Sequence, residues 1–417
     1  MTARYDRAQW RKLADALAAA VVVAIPWSTS LAYILIGVWL IVLIPNTEPD
    51  EWRDVLKHPA AWLPAALVAL SFAGMAWASG VDWQDRFNGF TSFAKLLAIP
   101  VLMVQFRHSP RANWVFLGFL VSCSLVLLSS WTMVLTGMKA FAGASTSYGV
   151  PVRDYIVQSQ EFILCAVGLI YLVYLRIRER SFGWALALAA LAALFLINVT
   201  FVAPSRTGLV TVPVLLVVLV MAHCRWMISV ALGCAIIAAA AVVFVASPQI
   251  QKRISGIVTE VQDYRTGQKI TSAGERFDFW TTALGIIEKA PVIGSGTGSV
   301  HESYVRVVQK RGSRRPPTTN PHNQTLTVAI QLGFIGTVLL FAMWLSHALL
   351  FRCGGLTGWI GLAVVAQNVI GSLFNNHLFD FTQAWIYMFG VGVAGGVALS
   401  QSLGTARPSP PRATVET

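Results

Sequence analysis

The chain has 417 residues, of which 56% are hydrophobic and only 12% charged, and its mean hydropathy is +0.63. A soluble domain carries about 25% charged residues, so the composition excludes one and implies an integral membrane protein. The net charge of +12 points to anionic partners, although in a membrane protein much of it reflects orientation, and no nucleic-acid partner is expected.

The apolar residues come in blocks of roughly 17–25, the length of a membrane-crossing helix. They are continuously apolar rather than alternating, which argues against a strand barrel. In chain order about twelve spans are expected, near 13–29, 31–45, 60–79, 91–106, 113–137, 157–175, 182–203, 207–223, 226–247, 323–350, 356–374 and 382–401. The fold class is thus an all-α polytopic bundle. Lys95 and Pro100 interrupt the fourth span. The first block lacks a small-residue cleavage site, so no cleavable signal peptide is expected. Cys123, Cys165, Cys224, Cys234 and Cys353 lie in or beside apolar blocks without metal-ligand spacing and read as packing residues.

Lysine and arginine set the orientation. The N-terminal tail holds Arg4, Arg7, Arg11 and Lys12, and every second connection after it is short and basic: Arg53 and Lys57, Arg107 and Arg111, the run 176–180, Arg225 and Arg352. By the positive-inside rule these connections and both termini are cytoplasmic. The chain then divides into nine spans over 1–247, an outward segment over 248–322, three spans over 323–401 and a disordered cytoplasmic tail over 402–417. The outward segment carries eleven Lys and Arg against six Asp and Glu. Positive charge is normally avoided there, so an anionic ligand is the natural reason, the alternative being that long translocated loops ignore the rule.

Three polar clusters follow. In "VAPSRTG", 202–208, Ser205 is a plausible N-cap that puts Arg206 in the first turn of the next helix, beside unpaired N–H groups that suit a phosphate. An arginine there also suits snorkelling to headgroups. In 272–299, Ser272 and Glu275 have capping-box spacing, predicting a helix from Ala273 that ends at Pro291 and Gly294. Arg276, Phe279, Trp280, Ala283 and Ile287 share one face, as in a helix lying on the membrane. The following Gly294, Gly296 and Gly298 allow a tight turn with exposed N–H groups. In "NPHNQTLT", 320–327, Asn320 reads as an N-cap and Pro321 as the first helical residue, which places His322 in the first turn, where the helix dipole disfavours imidazolium. Lys95, Glu161 and the turn "FNNHLFDF", 374–381, with Asn375, Asn376, His377 and Asp380, are further intramembrane or interfacial polar candidates.

These clusters resemble the O-antigen ligase family. The pattern His-Asn, nine residues, Gly-x-x-Gly occurs as His322, Asn323, "QTLTVAIQL", Gly333 and Gly336, and the "SRTG" turn and the "ERFDFW" helix also look like that ligase and polymerase superfamily. The resemblance implies a membrane glycosyltransferase of GT-C fold. It would move a completed polysaccharide from undecaprenyl diphosphate onto lipid A-core sugars at the periplasmic face of the inner membrane. By matching position Arg206 and Arg276 would hold the diphosphate and His322 would be the general base. Ser205, Asn323, His377 and the basic Arg311, Arg314 and Arg315 are supporting candidates. No Asp-x-Asp pair occurs in the outer loops, so two arginines in place of a metal is self-consistent, and no cofactor is expected. Rival readings are an O-antigen polymerase, against which the His-Asn spacing speaks, a ligase acting on proteins, and a transporter, which predicts paired broken helices.

Overall fold

In a hydrocarbon layer every backbone N–H and C=O has to be bonded within its own segment, and the apolar blocks accordingly fold as helices. The computed structural model describes residues 7–140, 147–246, 248–265, 271–310 and 317–405, and among the described residues there are helices and no strands. The chain begins with α1 (Arg7–Ala24), α2 (Thr29–Leu43), the short α3 (Pro49–Val55), α4 (Pro59–Gly74), α5 (Trp83–Ala94), α6 (Ala98–Phe106) and α7 (Ala112–Thr136). It continues with α8 (Tyr155–Arg178), α9 (Phe182–Ile197), α10 (Arg206–His223) and α11 (Trp226–Ala246). Next come α12 (Pro248–Arg265), α13 (Ser272–Ile287) and α14 (Val300–Lys310), and α15 (Gln324–Leu350), α16 (Gly355–Ser372) and α17 (Phe381–Thr405) complete the bundle.

Among the described residues ten helical runs are long and apolar enough to cross a membrane, or eleven if α3 and α4, bent by 96°, form one span. Each expected span has its helix. α1 fills the first but carries Arg7, Arg11, Lys12 and Asp15, and so stands outside that count. The interrupted span is one run, Trp83–Phe106, tightened at Lys95–Leu97. Burial is inverted relative to a soluble protein. Ile34, Phe72, Leu186, Met221 and Val245 face outward, while Gln158, Ser159, Gln160, Glu161, Gln367 and Asn368 point into the bundle. Together these features make the chain a polytopic helical membrane protein. α17 is the most enclosed span, 94% buried, and the core around it includes Trp39, Phe106, Phe162, Leu340 and Phe389.

The tenth expected span is not one straight helix. Gly333 has φ 61° and ψ −154°, a region that only glycine occupies readily. A Cβ there would sit 2.4 Å from the Val292 carbonyl oxygen. The broken turn exchanges backbone bonds with the glycine-rich loop: Phe334 and Ile335 N–H donate to the Pro291 and Val292 carbonyls, while Ser295 and Gly296 N–H donate to those of Ile330 and Gln331. Thr297 N–H goes to the Gly74 carbonyl and Gly298 N–H to Gln331 Oε1 at 2.7 Å. The expected exposed N–H groups are therefore consumed. The loop is a clamp that fixes the outer segment to α15 rather than an anion cradle. Irregular backbone at this depth is tolerated because it is buried in protein. Gly333→Ala should lower stability by more than about 2 kcal/mol, read as an earlier thermal unfolding midpoint in detergent, and an unchanged midpoint would count against the clamp.

Candidate active site

His322 lies outside the helix it precedes. The N-cap of α15 is Asn323, whose Oδ1 accepts the Leu326 N–H at 3.1 Å, and not the expected Asn320. Asn320 Oδ1 instead accepts the His322 N–H at 2.7 Å, and His322 adopts a left-handed φ of 53°. For a histidine this is an uncommon conformation, of the kind that collects at functional sites. The correction follows from chain chemistry: an Asn side chain that turns back on the backbone two residues on makes a local turn that competes with helix initiation.

The imidazole is held at one face and at one edge. Phe279 of α13 stacks on it, with ring centroids 6.4 Å apart and 23° between planes. At the ring edge, Nδ1 is 2.9 Å from Asn375 Oδ1, and Asn375 Nδ2 donates to Asp380 Oδ2 at 2.7 Å. The Asp380 carboxylate can only accept, which turns the Asn375 amide NH2 towards it and the amide carbonyl towards His322. Nδ1 therefore carries the proton, and Nε2 keeps its lone pair. Burial pushes the imidazole below its usual value, the Asn375 bond opposes this, and the charge of Arg276 adds to it. The ring is neutral at pH 7, through desolvation and Arg276 rather than through a place in the first helical turn. Burial raises the Asp380 carboxyl to about 6, with Lys95 opposing, so it is mostly ionised at pH 7.

The turn that carries Asn375 is stitched to the start of α15. Asn323 Nδ2 donates to the Leu373 carbonyl at 3.1 Å, Thr327 Oγ1 to Asn376 Oδ1 at 2.7 Å, and the Leu378 N–H to Gln324 Oε1 at 3.0 Å. Lys95 Nζ donates to the Phe379 carbonyl at 2.7 Å and so braces the same turn from α5 and α6. Thus Lys95 and the 374–381 turn, separate candidates in the sequence, belong to one assembly around His322.

Arg206 and Arg276 share one cavity of about 260 Å³, walled by Thr207, Val210, Val261, Phe277, Trp280 and Phe374. Trp280 Nε1 donates to the Pro321 carbonyl at 3.0 Å, which ties the wall of this cavity to the residue before His322. Ser205 caps α10, its Oγ accepting the Gly208 N–H at 2.9 Å, and so places Arg206 on the first turn as expected. α13 starts one residue earlier than expected, at Ser272, because Thr271 and not Ser272 is its N-cap. Its inner face packs Ala283 and Ile286 against Val300, Tyr304 and Ile330 instead of lying on the membrane alone. Burial pushes the Arg276 guanidinium down, the Tyr155 phenol opposes, and Arg206 adds repulsion. Among the described residues Arg276 makes no ion pair, whereas Arg206 makes a two-toothed pair with Glu260 of α12 through Nη1 (3.0 Å) and Nη2.

Among the described residues none of the other candidates lines this cavity. His377 is buried with its ring against Gly371, and burial holds it neutral with a pKa of about 4. Glu161 is buried on α8. Arg311, Arg314 and Arg315 lie outside the described residues. Tyr155 and Glu260 carry no motif of their own. Only the presence of an acid in the outer segment hinted at Glu260, with nothing to distinguish it from the other five.

Residues 191–341 match the family model described as O-antigen ligase. A protein of Haemophilus influenzae described as uncharacterized is 30% identical over 124 residues, 28% of this chain and 31% of its own length, so the chain spans about a third of that curated relative. The chain carries an O-antigen ligase family domain over residues 191–341, the stretch that contains Arg206, Arg276 and His322.

Proposed function

We propose that the protein is an O-antigen ligase. In this reading it is a GT-C-type transferase of the bacterial inner membrane, with both termini cytoplasmic and the site at the periplasmic face. It moves O-antigen polysaccharide from undecaprenyl diphosphate to a hydroxyl of lipid A-core. The observation that carries the reading is the Asp380–Asn375–His322 chain set beside a cavity with two arginines. His322 Nε2 takes the acceptor hydroxyl proton as that oxygen bonds to the anomeric carbon. The bond from that carbon to the diphosphate oxygen breaks on the opposite side, inverting the centre. Arg206 and Arg276 stabilise the charge gained by the departing undecaprenyl diphosphate. Ser205 and Asn323 act as caps that position Arg206 and the His322 turn. The apolar wall of Val210, Val261 and Phe277 suits the first isoprene units.

Purified protein reconstituted with lipid-linked glycan and core–lipid A is expected to transfer polymer with chelator present. Elongation of repeat units in place of transfer would identify a polymerase, and transfer to a protein acceptor alone would identify a protein ligase. Either result sinks the reading, as does complete loss with EDTA that a divalent ion restores.

In this scheme Glu260 occupies the position of a phosphate on Arg206, and the donor diphosphate has to replace it. Glu260→Gln is therefore expected to lower the donor KM by about fivefold, with kcat little changed, since about 1 kcal/mol of partly exposed ion pair no longer competes. A raised KM would show instead that Glu260 orders Arg206 for the donor.

A further inference from the structure

We propose that the cleft between the far halves of α7 and α8, at the end of the bundle opposite His322, binds one acyl chain of an anionic glycerophospholipid. The two helices are joined near the His322 end. Ser130 of α7 donates to the Gly149 carbonyl, and Asn198 Nδ2 donates to Ser130 Oγ at 2.8 Å. Gln158 of α8 bonds Asn198 Oδ1 at 3.0 Å and Ser130 Oγ at 3.4 Å. The helices still meet at Cys123 and Cys165. Beyond that point they diverge, and a cavity of about 440 Å³ opens between them, floored by α16 and α17. No element of the proposed reaction uses this cavity.

Its chemistry selects the occupant. The lining is apolar from Leu164 downward, with Gly168, Ala363 and Gly390 making room on the walls and floor. From Leu164 to Arg176 the wall of α8 is about 18 Å long, close to the hydrocarbon of one leaflet, about half of a 30 Å core. Polar side chains line only its mouth, where Asn113 and Arg176 stand. Arg178, Arg180, Arg225 and Arg352 are exposed on connections at the same end, and Glu179 is the only acid on those connections. Arg176 donates to Glu179 at 2.6 Å, an exposed pair that a lipid phosphate can displace at little cost. An apolar slot one leaflet deep with a cationic mouth matches an acyl chain below an anionic headgroup. By the positive-inside rule this is the cytoplasmic leaflet, so the site is distinct from that of the donor and independent of the function proposed above.

The test is native mass spectrometry of delipidated full-length protein incubated with phosphatidylglycerol, phosphatidylcholine or undecaprenyl phosphate. Phosphatidylglycerol adducts are expected to exceed phosphatidylcholine adducts by about fivefold, the effect of one arginine at a membrane surface. The exposed double substitution Arg176→Ala/Arg178→Ala should bring the two to parity. A Cβ at Gly168 meets nothing within 4 Å, so Gly168→Phe should fill the cleft and remove the adduct while the thermal midpoint stays near wild type. Equal retention of the two phospholipids by the wild type, or undiminished phosphatidylglycerol adducts in a folded Gly168→Phe, would overturn the proposal. So would tighter retention of undecaprenyl phosphate than of phosphatidylglycerol.

Discussion

His322→Ala is expected to lower polymer transfer by about 10²–10⁴-fold, the range for a positioned general base, while the protein still inserts and melts as the wild type does. The side chain is not part of a packed core. It stacks on Phe279 and bonds Asn375, and the backbone turn is held separately by the Asn320 side chain. The neutral ring is the active form, and its pKa is pushed below the usual 6.5 by burial. Activity should therefore hold down to pH 6.5 and fall only below it, and a kcat–pH profile with its acid limb above 7 would contradict the assignment. Asp380 becomes protonated near 6 and so contributes to the fall on the acid side. Asp380→Asn leaves the Asn375 amide free to turn, no longer fixes which imidazole nitrogen is bare, and should cost on the order of tenfold in kcat. Ample ligation by His322→Ala in the reconstituted assay would remove the base from the mechanism.

Arg276→Ala carries the second large effect, a fall in kcat/KM of roughly 10²–10³-fold as a donor to the developing charge is lost. Among the described residues the Arg276 guanidinium has no counter-ion, stands half-buried in an apolar cavity and lies near a second arginine. A desolvated cation without a counter-ion is unfavourable until an anion joins it, and the donor diphosphate supplies one. Arg276→Lys keeps the charge without the planar fork and should recover only part of the activity. A readout other than turnover is the affinity for undecaprenyl diphosphate, expected to fall in Arg276→Ala and to rise in Glu260→Gln. Unchanged affinity in both variants would mean that the cavity is not where the diphosphate binds.

The sequence by itself determined the class of molecule and the helices. Continuous apolar blocks leave a chain no other way to bond its backbone in lipid, and so every expected span has its helix, with ends moved by a few residues. Two caps were displaced, from Asn320 to Asn323 and from Ser272 to Thr271, because neighbouring polar residues can each accept the first free N–H groups and only the packed turn selects one. His322, Arg206 and Arg276 were legible as candidates because each sits beside a helix start with a distinctive local pattern. Tertiary structure alone decided what surrounds them. Asn375 and Asp380 come from a turn more than fifty residues away, Glu260 from a helix beyond one further span, and Phe279 from the α13 helix stacked on the ring. Such pairings depend on which helix ends a bundle brings to one surface, and no periodicity along the chain records that. The glycine-rich stretch shows the same limit from the other side. Its residues permit either an anion cradle or a clamp, and the break at Gly333, by offering free backbone groups of its own, settles it as a clamp.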